Sequence, residues 1–203
     1  MRRFISTIIL AAGESKRIGQ AKQLLRLGEN TILEHTLHNY MASRSEEIIL
    51  VLGYSAKEIL KLIPQESIIA VQNLEYSKGM SKSIIHGLSH VNPKADGILI
   101  ALADQPFIDT NTINRLITAF LKSNKGIIIP LYRNKRGNPV IFSAAYGEEL
   151  MNLSGDTGGR EIIKRHHYDI LEVPVECEGV VLDIDTLDEY RQAMGKLNKQ
   201  TRI

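Results

Sequence analysis

Three cations and two glycines crowd one short stretch of this chain, Leu10-Ala-Ala-Gly-Glu-Ser-Lys-Arg-Ile-Gly19, which continues into Lys22-Gln23-Leu24-Leu25. Gly13 lets backbone amides approach an anion closely, and Gly19 permits a conformation closed to other residues. Lys16, Arg17 and Lys22 then offer three positive side chains within seven residues. Each phosphoryl group of a polyphosphate needs its own donors, so this set suits a triphosphate better than a lone carboxylate. The same composition also fits a solvated basic turn that merely joins a strand to a helix. Spacing excludes two common phosphate loops. Gly13 and Gly19 enclose five residues and Gln20 follows, where a Walker loop needs G-x4-G-K-[ST]. Ser15 stands where the dinucleotide pattern G-x-G-x-x-G needs its second glycine, which removes support for hydride transfer.

The second group that could do chemistry is Asp104. It follows the apolar run Ile98-Leu-Ile-Ala-Leu102 and precedes Gln105-Pro106, so it emerges at the carboxyl edge of a buried strand, where α/β sheets bind ligands. A carboxylate there can hold Mg²⁺, which takes one or two carboxylates plus phosphate oxygens and water. It can equally serve as a turn former, since Asp109 and Thr110 stand ready to cap the next helix. Asp183 and Asp185, in Leu182-Asp-Ile-Asp-Thr186, would share one face of an extended segment and supply a second metal carboxylate. Asp185 with Thr186 could instead be a plain helix cap.

Three further segments carry polar groups in suggestive places. Gly79, Ser81 and Ser83 offer backbone and hydroxyl donors at a helix start, suited either to reading a base edge or to capping a loop. Arg136-Gly-Asn138-Pro139 and Gly155-Asp156-Thr-Gly-Gly-Arg160 are either turns or an anion nest, with Arg160 free for bidentate phosphate contacts. His35 with His38, and His86 with His90, share helix faces without an evident third ligand, so zinc is disfavoured. No G-x-S-x-G elbow occurs, and Cys177 lacks a setting that marks a nucleophile.

L-A-A-G-x-S-x-R-I-G-x-x-K resembles the opening signature of the nucleotidyltransferases that activate sugars, terpenoid precursors and the molybdenum cofactor. It looks most like the molybdenum cofactor cytidylyltransferase branch, with Ala12 where guanylyltransferase relatives have Gly. The resemblance implies a Rossmann-like, GT-A-like three-layer α/β/α fold and a triphosphate cradle of Leu10, Ala11, Ala12, Gly13, Arg17 and Lys22. It extends to L-A-D-Q-P at Asp104, which is similar to the family's metal-binding segment, and to D-I-D-T-x-x-E, with Leu187 in place of the usual Pro. N-x5-G-M-x-x-S, covering Gly79, Ser81 and Ser83, is similar to the stretch bordering the nucleobase. R-G-x-P and G-D-x-G-x-R place Asn138, Asp156 and Arg160 on the acceptor side, with Asn138 replacing a usual His. Arg17, Lys22 and Asp104 are the implied catalytic residues, and Asp104, Asp183 and Asp185 the implied Mg²⁺ ligands. The implied reaction moves CMP from CTP to the phosphate of molybdopterin, for delivery to a molybdoenzyme such as xanthine dehydrogenase. Purine-catabolism accessory proteins belong to the same branch and fit equally. A sugar-phosphate nucleotidyltransferase and a non-catalytic cofactor escort are the alternatives.

The elements that must position these residues follow from apolar patterning. Phe4–Leu10, Glu47–Leu52, Ile68–Val71, Gly97–Leu102 and Gly126–Ile129 are rich in Ile, Val and Leu, as strands buried on both faces require. Between them Leu33–Ser43, Ala56–Leu62, Ser81–Val91 and Thr110–Lys122 space their apolar residues near 3.6. This alternation predicts a doubly wound, mostly parallel α/β sheet in one domain. Pro139–Ser143 and Ile170–Val175 predict two more strands, and Asp188–Leu197 a closing helix with a frayed tail. Residues 1–130 would form a nucleotide-binding part and 131–203 an acceptor-side part.

The 203 residues, 43% hydrophobic and 24% charged, describe an ordinary globular domain. A formal charge of +2 gives no case for nucleic acid or a membrane surface as partner. One cysteine excludes an internal disulfide or a multi-cysteine metal site and suggests a reducing compartment, the cytoplasm. Arg2, Arg3 and the apolar run after them imitate a signal peptide, but charged residues follow too soon and no cleavage-like end appears.

Overall fold

A computed structural model describes residues 4–64 and 66–200, with side chains through residue 197. The Arg2 and Arg3 pair that begins the signal-like stretch lies outside the described residues. The apolar runs form the expected parallel strands β1 (Ile5–Ala11), β4 (Glu47–Leu52), β5 (Ile69–Gln72) and β6 (Gly97–Leu102). The side chains of β1, β4 and β6 are buried on both sides, because helices cover both faces of the sheet, while the edge strand β5 is largely exposed. The later strands are β7 (Ile127–Tyr132), the short β8 (Lys135–Arg136), β9 (Val140–Ser143) and β10 (Ile170–Pro174). The sheet runs β10-β7-β9-β6-β1-β4-β5, with β8 paired to β7. β9 is antiparallel to both β6 and β7.

Strand β1 sits between β4 and β6, and the chain winds outward first through β4 and then, from β6, in the other direction. That reversal opens a crevice beyond the carboxyl ends of β1 and β6, where a ligand meets both strand exits. On one face, α1 (Ile32–Met41), α2 (Ala56–Ile59) and α4 (Thr110–Lys122) pack Leu33, Leu37, Ile59, Ile113, Leu116 and Ile117 onto Ile5, Ile9 and Leu99. On the other, α3 (Met80–Leu88), α5 (Gly147–Met151) and α6 (Arg160–Arg165) pack Ile84, Leu150 and Ile162 onto Ile8, Val51 and Phe142. Each fully buried Ile or Leu contributes roughly 1.5–3 kcal/mol.

Helix ends confirm part of the expected punctuation. Asp109 accepts the Thr112 amide at 2.7 Å and caps α4. Thr31 and Glu34 form a capping box at α1. That box terminates a two-residue hairpin of β2 (Arg26–Leu27) and β3 (Asn30–Thr31), which the apolar pattern does not signal. The hairpin supports α7 (Leu187–Gln200) through Leu27, Ile32, Ile184 and Ala193. The helices α5 and α6 were also not signalled, being too short for a 3.6 period to declare itself. Among the described residues, no helix is long and apolar enough to cross a membrane.

Candidate active site

The loop after β1 is tied down by its own polar residues. Ser15 adopts a left-handed φ of 54°, and its carbonyl accepts the Ile18 and Gly19 amides at 2.9 and 3.0 Å. The Ser15 hydroxyl accepts the Lys22 amide at 3.1 Å. Gln23, almost fully buried, donates to the Ala11 carbonyl at 3.1 Å and the Gly13 carbonyl at 3.4 Å. Gln23 therefore clamps the first turn of the loop, a role that composition alone does not announce. Gly19 takes the left-handed conformation expected of it, with φ at 81°. A Cβ at Gly13 would meet nothing within 4 Å, so its backbone faces open space.

That space is a cleft of about 560 Å³. It gathers most of the residues singled out above: Leu10, Ala12, Gly13, Arg17, Lys22, Gly79, Ser83, Asp104, Asn138, Asp156, Arg160, Asp183 and Asp185. Of the residues that the resemblance implies for the site, Ala11 and Ser81 do not line it. Ala11 is buried beneath the loop, its carbonyl engaged by Gln23. Ser81 is 1% exposed and lies under the start of α3, its amide bonded to the Gly155 carbonyl at 3.2 Å. Tyr76 and Ser77 line the cleft as well.

At the floor, Asp104 projects from the end of β6 and receives a very short hydrogen bond from the Lys22 ammonium. Lys22 also donates to Asp185 at 2.5 Å, and Arg17 holds the other Asp185 oxygen at 2.6 Å. Burial alone would lower the Lys22 pKa, but Asp104 and Asp185 outweigh it and hold the ammonium above its ordinary value. Burial likewise opposes ionisation of Asp185, and Lys22 and Arg17 overcome it, so that carboxyl lies below the usual range. Asp183 is in the reverse position. Partial withdrawal from water, then the Asp104 carboxylate, push it upward against a 2.6 Å hydrogen bond from buried Gln105.

The segment bearing these aspartates differs from the extended strand expected. Residues 182–186 run as irregular backbone across the sheet edge, where the Ile184 amide bonds to the Asp104 carbonyl at 3.1 Å. Ile184 nevertheless turns into the α7 core, leaving Asp183 and Asp185 on the cleft side. Thr186 and Glu189 then cap α7 reciprocally, and the Glu189 carboxylate also accepts the Asp185 amide at 2.9 Å.

The three loop cations are all neutralised: Lys16 by Glu14 at 2.8 Å, Arg17 by Asp185, and Lys22 by Asp104 and Asp185. The cleft as a whole is lined by five carboxylates (Glu14, Asp104, Asp156, Asp183, Asp185) and four basic groups (Lys16, Arg17, Lys22, Arg160). A polyphosphate entering such a cleft requires an added cation. Asp104 supplies a fitting acceptor, since its Oδ1 is buried without a hydrogen-bond partner. Among the described residues, no three His, Cys, Asp or Glu side chains converge as a preformed metal cage. One or two carboxylates completed by phosphate oxygens and water are what Mg²⁺ favours, and Asp104 with Asp183 meets that description.

On the far side, Asp156 accepts the Met80 amide at 2.8 Å, tying the 155–160 loop to the start of α3. Gly79, with φ at 109°, packs against the Gly155 carbonyl. Of the histidine pairs, His35 bonds the Leu27 carbonyl at 2.6 Å, and His90 bonds the His86 carbonyl at 2.9 Å. Cys177 points its thiol at the Phe107 carbonyl, 3.2 Å away, and does not line the cleft.

Comparison with known proteins bears on this geometry. The family model of the MobA-like NTP transferase domain matches residues 7–170. The molybdenum cofactor cytidylyltransferase of Escherichia coli is 30% identical over 92% of this chain and 93% of its own length. The nicotine blue oxidoreductase of Paenarthrobacter nicotinovorans is 27% identical over 92% of this chain and 95% of its own. The crystal structure of Rv0371C from Mycobacterium tuberculosis, a complex with manganese, superposes with a TM-score of 0.80 at 28% identity, covering 96% of this chain and all of that one.

Proposed function

The chain belongs to the MobA-like NTP transferase family, and on that premise we propose that it transfers CMP from CTP to the phosphate of molybdopterin, releasing pyrophosphate. The observation that carries this reading is the meeting of Lys22, from the loop after β1, with Asp104, from the end of β6. A polyphosphate-gripping loop and a metal-type carboxylate that share one point bring a divalent ion onto the phosphates, as phosphoryl-group chemistry requires. The related cytidylyltransferase supports the choice of base and acceptor, together with Ala12 in the opening signature. The relative named as an oxidoreductase does not redirect the reading, because the loop here lacks the dinucleotide spacing.

In this reading Asp104 and Asp183 hold Mg²⁺, which would neutralise charge on the α-phosphate and the departing pyrophosphate. Leu10, Ala12 and Gly13 shape the cradle, and Ala11 supports it from below. Lys22 and Arg17 give up carboxylate partners and donate to the triphosphate. Gly79 and Ser83 border the base, with Ser81 fixing that turn. Asn138, Asp156 and Arg160 hold the acceptor, so residues 1–130 serve mainly the nucleotide and 131–203 the acceptor. An oxygen of the acceptor phosphate attacks the α-phosphorus, and the bond from that phosphorus to the bridging oxygen breaks. The electron pair leaves on pyrophosphate. A phosphate monoester has a second pKa of about 6 and is largely dianionic near neutrality. No protein base is therefore required, in keeping with a cleft that has carboxylates and cations but no histidine. Positioning and charge neutralisation supply the catalysis. A cytoplasmic setting, and delivery of the product to a molybdoenzyme such as xanthine dehydrogenase, as in purine catabolism, complete the proposal. Incubation with CTP labelled at the α-phosphate tests it: label must appear in a molybdopterin dinucleotide, and its absence would overturn the assignment.

A further inference from the structure

Lys22 stands on Asp104, a carboxylate that the proposed divalent ion also requires. Its ammonium bonds Asp104 and Asp185 together, and its side chain is only 11% exposed. Its backbone is fixed by the Ser15 hydroxyl and by the 3₁₀ turn it begins, whose closing bond runs from the Leu25 amide to the Lys22 carbonyl at 3.1 Å. Only the flexible four-carbon stem is free to swing. Beside it, Asp104 keeps one oxygen buried and unpartnered. A divalent ion on that oxygen would face the Lys22 ammonium across a single carboxylate, and two cations so close in a poorly hydrated spot repel strongly.

We propose that Lys22 is a resident cation of the Asp104–Asp185 pair that exchanges with the divalent ion, so that metal and triphosphate enter together. This rests on the transferase reading for the identity of the incoming anion. The nucleotide's phosphates offer Lys22 a second anionic partner, and its departure frees the Asp104 Oδ2 that it now holds, beside the unpartnered Oδ1. Charge at the floor stays balanced at each stage: ammonium with carboxylates before entry, metal with carboxylates and ammonium with phosphate after it. Without nucleotide, the cluster binds free divalent ions weakly. Arg17, 67% exposed on the outer oxygen of Asp185, is too far into solvent to replace Lys22 in this role.

The test uses Mn²⁺ alone, on the full chain, with free Mn²⁺ counted by electron paramagnetic resonance and no nucleotide present. Lys22→Met and Lys22→Gln are each expected to bind Mn²⁺ at least about tenfold more tightly than wild type, within the usual range of coupling between ligands. Adding Asp104→Asn to either variant is expected to return affinity to the wild-type level. Equal affinities for wild type and both variants would overturn the proposal. A second measurement needs no variant: in the wild-type chain, saturating Mn²⁺ should raise the acetylation rate of Lys22 relative to exposed Lys57. An unchanged ratio would also overturn it. Failure of the transferase reading would show separately, as an absence of pyrophosphate from the wild-type chain with CTP and molybdopterin.

Discussion

The Lys22 ammonium lies 2.5 Å from the Asp185 carboxylate although 163 residues separate them in the chain. The loop that opens the fold and the segment that leads into its last helix thus close on one point. Asp104 enters the same ammonium's coordination from the middle of the chain. Three distant segments supply the floor of the cleft, and each is delivered by an apolar strand or a capped helix.

Asp104 is the residue on which the proposed chemistry depends most. Asp104→Ala is expected to lower pyrophosphate release by about a thousandfold or more, as loss of a charge-stabilising group in a dry site does. The side chain is mostly covered and, among the described residues, hydrogen-bonded by Lys22, so the thermal transition should remain cooperative. Wild-type rates in a folded variant would remove Asp104 from the mechanism.

Asp183 makes the site electrostatically uneasy. Its pKa is raised above the ordinary 3.8 by partial burial and by the neighbouring aspartates. An acid with a raised native-state pKa holds more protons folded than unfolded between the two values, so stability falls as pH rises through that window and the loss is complete above it. Asp183→Asn, whose carbonyl can still accept from Gln105, is expected to match or exceed the wild-type Tm at pH 7 in EDTA. The gain should stay under about 1 kcal/mol because the carboxyl is open to solvent on one side. It should shrink toward pH 3, where wild-type Asp183 is protonated in both states. A clear loss of Tm at pH 7 would contradict this account.

Gly79 cannot carry a side chain. Its φ is 109°, and a Cβ would come within 2.7 Å of the Gly155 carbonyl. Gly79→Ala is expected to cost roughly 1–3 kcal/mol of stability and to raise the KM for nucleotide more than it lowers kcat. Unchanged melting and KM would show that the α3 start does not border the nucleotide.

Glu189 acts at one remove, through the backbone of Asp185. Its carboxylate accepts the Asp185 and Thr186 amides at 2.9 and 2.8 Å. Glu189→Ala is expected to cost about 1 kcal/mol through the lost cap and to reduce kcat/KM several-fold, because the Asp185 carboxylate loses its fixed backbone. Full activity with the expected drop in Tm would confine Glu189 to capping.

Much of this is legible in the sequence, for physical reasons. Doubly buried strands such as Gly97–Leu102 must be apolar throughout, and α4 must show an apolar stripe, so both ranges were read at their true limits. Asp104 is readable because a carboxylate two residues past such a strand stands at the carboxyl edge of the sheet. The pairing of the loop cations was not readable: composition shows Lys16, Arg17 and Lys22 as phosphate donors, whereas folding brings Glu14, Asp104 and Asp185 onto them. The roles of Gln23 and Gln105 are not legible in the sequence, because an amide side chain carries no charge or spacing to mark it and its partners, the Ala11 carbonyl and the Asp183 carboxylate, are distant in the chain. The spacing of Gly79, Ser81 and Ser83 does not tell which hydroxyl faces the cleft, and Ser81, in the first turn of α3, is buried.

The central claim is that the cleft joins a nucleotide to a phosphorylated acceptor, and pyrophosphate release measured for each of the four NTPs, with molybdopterin and with sugar phosphates, tests it most directly. The account predicts release with CTP and molybdopterin in the presence of Mg²⁺, and little with other pairings. Nucleotide binding without pyrophosphate from any pairing would contradict it and leave the chain as a carrier of the cofactor.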